Sequence, residues 1–166
     1  MTEQDLLNKF IRDLKSIIQL MELNNSGIKS ISAQDVDDHV ELIIRSEMGD
    51  EILVSSDECE ITLCYGQSHW HINSYSDPLD IDSMKITCLN NVMDVINSRI
   101  ITYSAWNQSS CLGGSSINYE IDIYKKAQEV FPKADMIKVQ SFNSEIKTIK
   151  FAAQQGDAPE SASPPR

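Results

Sequence analysis

The sequence predicts an α+β domain built on a mainly antiparallel sheet. Two observations lead to this class. Apolar residues recur at helical spacing near the start of the chain, and over most of the remainder they occupy every second position. A second helical stretch divides the alternating segments, which gives the predicted order α-β4-α-β4. The chain has 166 residues, 41% of them apolar, and this length and composition fit one domain with a substantial core.

The first predicted element is an amphipathic helix over residues 3–23. Thr2 and Asp5 resemble a capping box in which Asp replaces the usual Glu or Gln. The polar run at 24–27 contains two asparagines and a glycine, which end the helix. The apolar residues lie three and four positions apart and therefore share one face: Leu6, Leu7, Phe10, Ile11, Leu14, Ile17, Ile18 and Met21.

Four antiparallel strands joined as a meander are predicted next, from Val40 to Asn73. In the last two, residues 60–65 and 69–73, alternation assigns one set of side chains to the core: Ile61, Leu63, Tyr65, Trp70 and Ile72. The opposite face is free for contact and carries Glu60, Thr62, Cys64, His69, His71 and Asn73. Pairing of these two strands as a hairpin makes the acid and the histidines neighbours on one surface.

A second helix and a second block of strands follow. The helix is predicted from Asp82 or Ser83 to about Ser98, although its first turn also fits a strand. The strands are predicted at 100–107, 117–123, 136–142 and 145–151. A polar loop at 108–116 joins the first two of these strands, and residues 124–130 fit a short helix.

The predicted domain covers residues 1–152. Beyond it, residues 153–166 include three prolines and no large apolar residue. A segment of this composition buries too little apolar surface to fold, so a disordered tail is predicted.

Acidic residues are unevenly distributed along the chain. There are 25 acids against 14 lysines and arginines, a formal net charge of −11, which argues against binding to nucleic acid or an anionic membrane. Residues 35–60 contain most of the imbalance, with ten acids and Arg45 as the single base. Two interpretations stay open: solvated turns and strand faces, or a surface that meets a basic partner.

Three further features bear on where the protein works. The sequence has no run of about 18 uncharged apolar residues, as a membrane span would require. Its first residues lack the basic start and apolar stretch of a secretory signal. The four cysteines follow no Cys-x-x-Cys spacing. We therefore expect a cytoplasmic protein with reduced thiols and no contact with a membrane.

The most specific short motif is His69-Trp70-His71. Residues i and i+2 of a strand point to the same face, so both imidazoles project together, as two ligands of a divalent metal would. A catalytic zinc usually has a third protein ligand, and neither an HExxH motif nor a downstream histidine supplies one. We therefore expect no metal and no other cofactor. Exposed histidines and a contact at a protein interface are the remaining interpretations.

No catalytic residue is predicted. Cys64 lies close to the histidine strand and a Cys–His pair is conceivable, but a free cysteine is commonly a small buried hydrophobe. The Ser- and Gly-rich run at 109–116 lacks the lysine of a P-loop and joins two predicted strands. A Gly-x-Ser-x-Gly motif is also missing. The sequence therefore predicts a protein that is not an enzyme.

The segment from Glu60 to His71, Glu-Ile-Thr-Leu-Cys-Tyr-Gly-Gln-Ser-His-Trp-His, resembles part of a known family. A strand that ends in an aromatic residue and glycine is followed by a short polar spacer, His-x-His, a helix and further strands. This pattern resembles the small bacterial immunity proteins of polymorphic toxin systems, contact-dependent or type VI-secreted, and covers residues 40–125. It implies a cytoplasmic protein that binds and neutralises one cognate toxin domain without catalysis.

The expected binding surface combines the acidic stretch with the free face of the histidine strand. The residues predicted to contact the toxin domain are Asp37, Asp38, Glu58, Glu60, His69 and His71. An acidic face can occupy the basic cleft of a nuclease-like toxin by imitating phosphate charge. Two alternatives stay open: a small metal-dependent enzyme that uses the two histidines of the motif, and a ligand-binding or regulatory domain. The sequence also leaves the oligomeric state open.

Overall fold

Two antiparallel sheets, each with its own hydrophobic cluster, make up the part of the chain that the structure describes. The structure is a computed structural model and describes residues 2–21, 27–57, 60–73, 80–118 and 120–151. In chain order the elements are α1 Glu3–Met21, β1 Ile28–Val36, β2 His39–Ser46, β3 Glu51–Asp57, β4 Glu60–Tyr65, β5 Ser68–Asn73, α2 Ile81–Ile96, β6 Ile100–Asn107, β7 Ser110–Asn118, α3 Ile123–Val130, β8 Met136–Gln140 and β9 Lys147–Lys150. The first sheet has the order β1-β2-β3-β4-β5 and the second the order β7-β6-β8-β9.

The predicted α+β class is confirmed, with a helix at the start, a helix in the centre and antiparallel pairing in both sheets. The short helix expected at 124–130 is α3, and the expected final hairpin is β8–β9. Over the described residues the order of elements is α-β5-α-β2-α-β2, so the predicted α-β4-α-β4 is wrong in its count of strands before α2 and in leaving α3 out. The tail predicted at 153–166 lies outside the described residues.

The additional strand is β1, at the edge of the first sheet. Ile31 and Ala33 are half-buried against the core, whereas Ser30, Ser32 and Gln34 are exposed. An edge strand has a neighbour on one side, so its alternation involves few large apolar side chains. For this reason the sequence pattern did not reveal it.

The predicted boundary between loop and strand near residue 116 is also wrong. Residues expected as the polar loop 108–116 form most of β7, and the strand expected at 117–123 ends where β7 does. At Gly114 an added Cβ would lie 2.7 Å from the backbone oxygen of Tyr103. Glycine therefore serves close approach of two strands here, which the sequence pattern did not distinguish from a turn.

Alternation of apolar residues after β7 does not continue as a strand. Ile121 is 51% exposed, and Ile123 is the first residue of α3. Asp122 is the N-cap of this helix, because its Oδ1 accepts hydrogen bonds from the backbone N–H groups of Tyr124 (3.0 Å) and Lys125 (3.2 Å). The Asp122 N-cap therefore starts a helix here, although the apolar residues alternate as they would in a strand.

Helix α1 packs on one face of the first sheet. The predicted capping box is confirmed: Thr2 Oγ1 accepts from the Asp5 N–H at 3.1 Å, and Asp5 Oδ2 accepts from the Thr2 N–H at 2.7 Å. Five residues of the predicted stripe are buried: Leu7, Phe10, Ile11, Leu14 and Ile18. Met21, at the end of that stripe, is exposed.

Helix α2 completes the cover of this inner face, next to α1 and β4. Its N-cap is Asp80, whose Oδ1 accepts from the Ser83 N–H at 2.8 Å, so the helix begins before the predicted cap positions. The first turn is helical, and the strand alternative is wrong. Among the described residues, no helix is long and apolar enough to cross a membrane.

The second sheet has a smaller core. Its buried members are Tyr103, Ala105, Ile117, Ala127 and Ile137. The β8–β9 connection also reaches the first core through Phe142, which is 3% exposed. The ring of Phe142 lies 6.3 Å from that of Tyr65, and Ser98 Oγ donates to the Phe142 backbone oxygen at 3.4 Å. The β8–β9 connection of the second sheet therefore contributes an aromatic side chain to the core of the first.

Asp50, directly before β3, links the first sheet to the second. The residue is 8% exposed, and its carboxylate accepts three hydrogen bonds: from Ser46 Oγ at 3.2 Å, from Gln140 Nε2 at 2.5 Å and from the Asn143 N–H at 2.7 Å. Gln140 ends β8, and Asn143 lies in the following turn. Because hydrogen bonds to a charged, buried acceptor are stronger than neutral ones, this carboxylate fixes how the sheets meet.

Replacing Asp50 should therefore destabilise the whole fold. We expect Asp50→Ala to lower the free energy of unfolding by about 2 to 4 kcal/mol, because it leaves three donors without an acceptor. Urea unfolding followed by circular dichroism measures this loss. Glu51→Ala is the matched control: its carboxylate is half exposed and pairs with Arg45 at 2.9 Å, so its loss should stay under about 1 kcal/mol. Equal losses in the two variants would contradict the role assigned to Asp50.

Candidate functional site

The outer face of the first sheet, away from α1 and α2, carries the histidine motif. Strands β4 and β5 pair as the predicted hairpin, with Thr62 opposite His71 and Cys64 opposite His69. The side chains assigned to the core have reached it: Ile61, Leu63, Tyr65 and Ile72 are buried and Trp70 is half-buried against them. Strand parity therefore leaves the histidines on the side that none of the described helices covers.

His71 is held by an acid on the neighbouring strand. Its Nδ1 contacts Glu60 Oε1, and Thr62 Oγ1 donates to the same carboxylate oxygen at 3.1 Å. The ring of His69 stands edge-on to the ring of His71, with centroids 5.0 Å apart. The side chain of Glu60 is 22% exposed, while that of His71 is 53% exposed, so the imidazole is the more accessible member of the pair.

A second group of acids surrounds His39 at the same end of the sheet. Asp38, His39 and Asp57 each place a polar side-chain atom within 4.8 Å of the others. Glu41 Oε1 lies 3.7 Å from His39 Nε2. Asp57 is also the register partner of Glu60, so this group joins the Glu60–His71 pair. We call the resulting surface the acidic face: it consists of Asp38, His39, Glu41, Asp57, Glu60 and His71.

An apolar strip lies next to the acidic face. Ile43, Leu53 and Cys64 are register partners across β2, β3 and β4, and all three are half-buried on the outer side. His69, opposite Cys64, ends the strip. Half-buried apolar side chains beside charged groups are typical of the composition of protein interfaces.

The structure brings together three of the six residues predicted to bind a partner, namely Asp38, Glu60 and His71. His69 lies beside them along β5. Asp37 is exposed in the β1–β2 turn, with a left-handed φ of +51°, and Glu58 lies outside the described residues. Three members of the acidic face were not predicted: His39, Glu41 and Asp57. Strand parity alone could not find them, because their position depends on the register of β2 and β3.

Among the described residues, the three metal-ligating groups that lie closest together are at His39 and not at the histidine motif. In the part of the chain that the structure describes, the group that brings three such atoms within 4.8 Å of one another is Asp38, His39 and Asp57. It includes neither His69 nor His71. This group could hold a cation, but exposed carboxylates around an imidazole are equally suited to a basic side chain of a partner.

Cys64 is poorly suited to nucleophilic chemistry. It lies opposite His69, but burial raises the pKa of its thiol above the ordinary value. The thiolate is the reactive form of cysteine, so a raised pKa lowers reactivity at neutral pH. The same effect is larger at Cys88 in α2, where burial raises the pKa to about 12.

Comparison with protein-family models, curated proteins and solved structures finds no match for this chain. Any function proposed for the site therefore depends on the geometry and chemistry of its own residues.

The thiols should differ sharply in reactivity. Relative to the ordinary pKa of 9.0, Cys88 has roughly a thousandth of the thiolate at about pH 8. We expect Ellman's reagent to modify exposed Cys111 within minutes, Cys64 more slowly, and Cys88 only after unfolding. Peptide mapping by mass spectrometry assigns each site, and a sample in urea, where the rates converge, is the control. Modification of native Cys88 as fast as Cys111 would contradict its burial.

Proposed function

We propose that this protein is an immunity protein that binds a cognate toxin domain through the acidic face and has no catalytic activity of its own. The observation that carries the proposal is the acidic face itself, which lies on an open sheet surface beside the apolar strip. Such a surface offers both the charge and the apolar area that a specific protein partner uses.

The charges of the acidic face are not neutralised within the described chain. The carboxylates of Asp38, Glu41, Asp57 and Glu60 form no ion pair with a lysine or arginine of the described residues; the imidazoles beside them are those of His39 and His71. The nearby arginines are engaged elsewhere, Arg12 with Asp35 and Arg45 with Glu51. Negative charge is therefore available to a basic partner.

The negative charge of the acidic face indicates how the protein inhibits a toxin. Toxins that act on nucleic acid need a basic cleft to hold phosphates, and carboxylates on a rigid sheet can occupy that cleft in their place. Glu41 and Glu60 are about four-fifths buried along their side chains, so their positions are fixed before binding. Pre-organised charges lose little conformational entropy on association. The geometry gives no comparable support to a metal-dependent enzyme at His69 and His71.

The first test is complex formation. We expect the protein to co-purify in a one-to-one complex with the C-terminal domain of a toxin encoded beside it, and to abolish that domain's activity. Size-exclusion chromatography with light scattering gives the stoichiometry, and calorimetry gives the affinity. Lack of binding at micromolar concentrations would overturn the proposal.

The second test locates the interface. We expect the double variant Asp57→Lys, Glu60→Lys to reduce the association rate about tenfold or more and to flatten its dependence on salt, because steering by the acidic face is lost. The control is Glu120→Lys, Glu145→Lys, which changes net charge equally at exposed positions on the connections of the second sheet. Stopped-flow kinetics measure the rates, and thermal midpoints verify folding. Equal rates in the two double variants would place the interface elsewhere.

A further inference from the structure

A small cavity of about 140 Å³ lies on the face of the second sheet that is turned away from its hydrophobic cluster. In β6, Tyr103 and Ala105 belong to that cluster, so alternation directs the side chains between and beside them toward the cavity. Pockets for drug-sized ligands enclose roughly 300 to 1,000 Å³, so this cavity suits a much smaller molecule. Its wall includes Gln67, Thr102, Ser104, Trp106, Lys138 and Ile146.

Strand register places a cation beside the hydroxyl groups of the wall. Lys138 and Ser104 are partners across β8 and β6, and Thr102 lies two residues from Ser104 on the same face. Lys138 Nζ lies 4.1 Å from the centre of the Trp106 ring and forms no ion pair with an acid of the described residues. None of the described residues that line the cavity is acidic. The wall therefore carries one positive charge that a ligand can neutralise.

The two hydroxyl groups are buried and not fully used. Thr102 is 2% exposed, and its hydroxyl has no hydrogen-bond partner among the described residues. Ser104 is 7% exposed and accepts from Trp106 Nε1 at 2.8 Å, while its own O–H donates to none of the described residues. Because buried polar groups are normally hydrogen-bonded, a hydroxyl without a partner in the wall of a cavity indicates that a ligand accepts from it.

The β4–β5 turn closes one side of the cavity. Gly114, the partner of Ser104 on β7, has no side chain, and a Cβ added there would lie 3.0 Å from Gln67 Cβ. The glycine therefore leaves the space beside Ser104 to Gln67 of the turn. The Gln67 amide forms no hydrogen bond within the described chain, so it adds another neutral donor.

From these groups we infer that the cavity binds a small monocarboxylate. Its oxygen atoms accept hydrogen bonds from Lys138, Thr102 and Ser104, and its short apolar chain contacts Trp106 and Ile146. The cavity offers one ammonium and otherwise neutral donors, in a protein with a net charge of −11. A single negative charge is therefore bound in preference to a dianion such as sulfate.

This ligand is additional to the toxin domain proposed above. Gln67 lies in the β4–β5 turn, at the opposite end of that hairpin from Glu60 of the acidic face. The two sites are therefore separate, and the carboxylate site requires no toxin.

Titration of the full chain with sodium propionate at constant ionic strength tests the assignment. We expect saturable shifts of the backbone amide NMR signals of Gln67, Thr102, Ser104 and Lys138 and of the Trp106 indole N–H, with a Kd on the order of 10 millimolar. Propionamide, the neutral isostere, should bind at least about tenfold more weakly because it lacks the charge that Lys138 pairs. Sodium sulfate should also bind more weakly than propionate.

Two variants sharpen the result. Lys138→Met should raise the Kd for propionate about tenfold or more, whereas the control Lys147→Met removes the same charge from the opposite face of the sheet, where Lys147 pairs with Val139, and should leave it unchanged. Thr102→Val should raise the Kd about threefold to tenfold without lowering the thermal midpoint, because the hydroxyl that it removes has no partner within the described chain.

Several results would overturn the carboxylate site: no saturation with propionate, equal binding of propionamide or sulfate, or equal affinities in Lys138→Met and Lys147→Met. Unchanged affinity in Thr102→Val would also contradict it. None of these measurements involves the toxin, so their failure leaves the proposed function untouched.

Discussion

The carboxylate of Asp50 is the point on which the arrangement of the two sheets depends. It accepts hydrogen bonds from the Ser46 side chain at the end of β2, from the Gln140 amide at the end of β8 and from the Asn143 N–H in the turn after β8. These donors come from segments about ninety residues apart in the chain, so their convergence is a tertiary constraint that no local preference imposes. Phe142 then enters the first core beside Tyr65, and the position of the β8–β9 hairpin follows from both contacts.

The fold class could be predicted because burial on one face leaves a readable period. In α1 and in β2 to β5, most side chains toward the core are large and apolar, and most of those on the other side are polar, apart from the apolar strip. The strands at the sheet edges do not obey this rule. β1 buries little, and β7 contains two adjacent glycines: Gly114 closely approaches β6 and Gln67, and Gly113 lies against the ring of Phe131. Patterns of side-chain polarity cannot distinguish such glycines from those of a turn.

The acidic face could be predicted only as far as one hairpin extends. Glu60 and His71 meet because β4 and β5 are joined by a tight connection, so parity fixes both. His39 and Asp57 join them through the register across β2, β3 and β4, which depends on turn geometry. Residues farther from the β4–β5 hairpin join this surface through contacts between more distant parts of the chain, and the sequence pattern does not reveal those contacts.

The alternation of β2 to β5 also separates two kinds of physical constraint on the residues. Every second residue faces α1 and α2, and a change there disturbs the core. The intervening residues face solvent, and most substitutions among them cost little stability. A lineage could therefore exchange the charges and sizes on the outer side one position at a time while retaining the same folded scaffold. On the proposed function, the residues that set partner preference and those that maintain the fold lie in interleaved halves of the same strands, so the first can change while the second is kept.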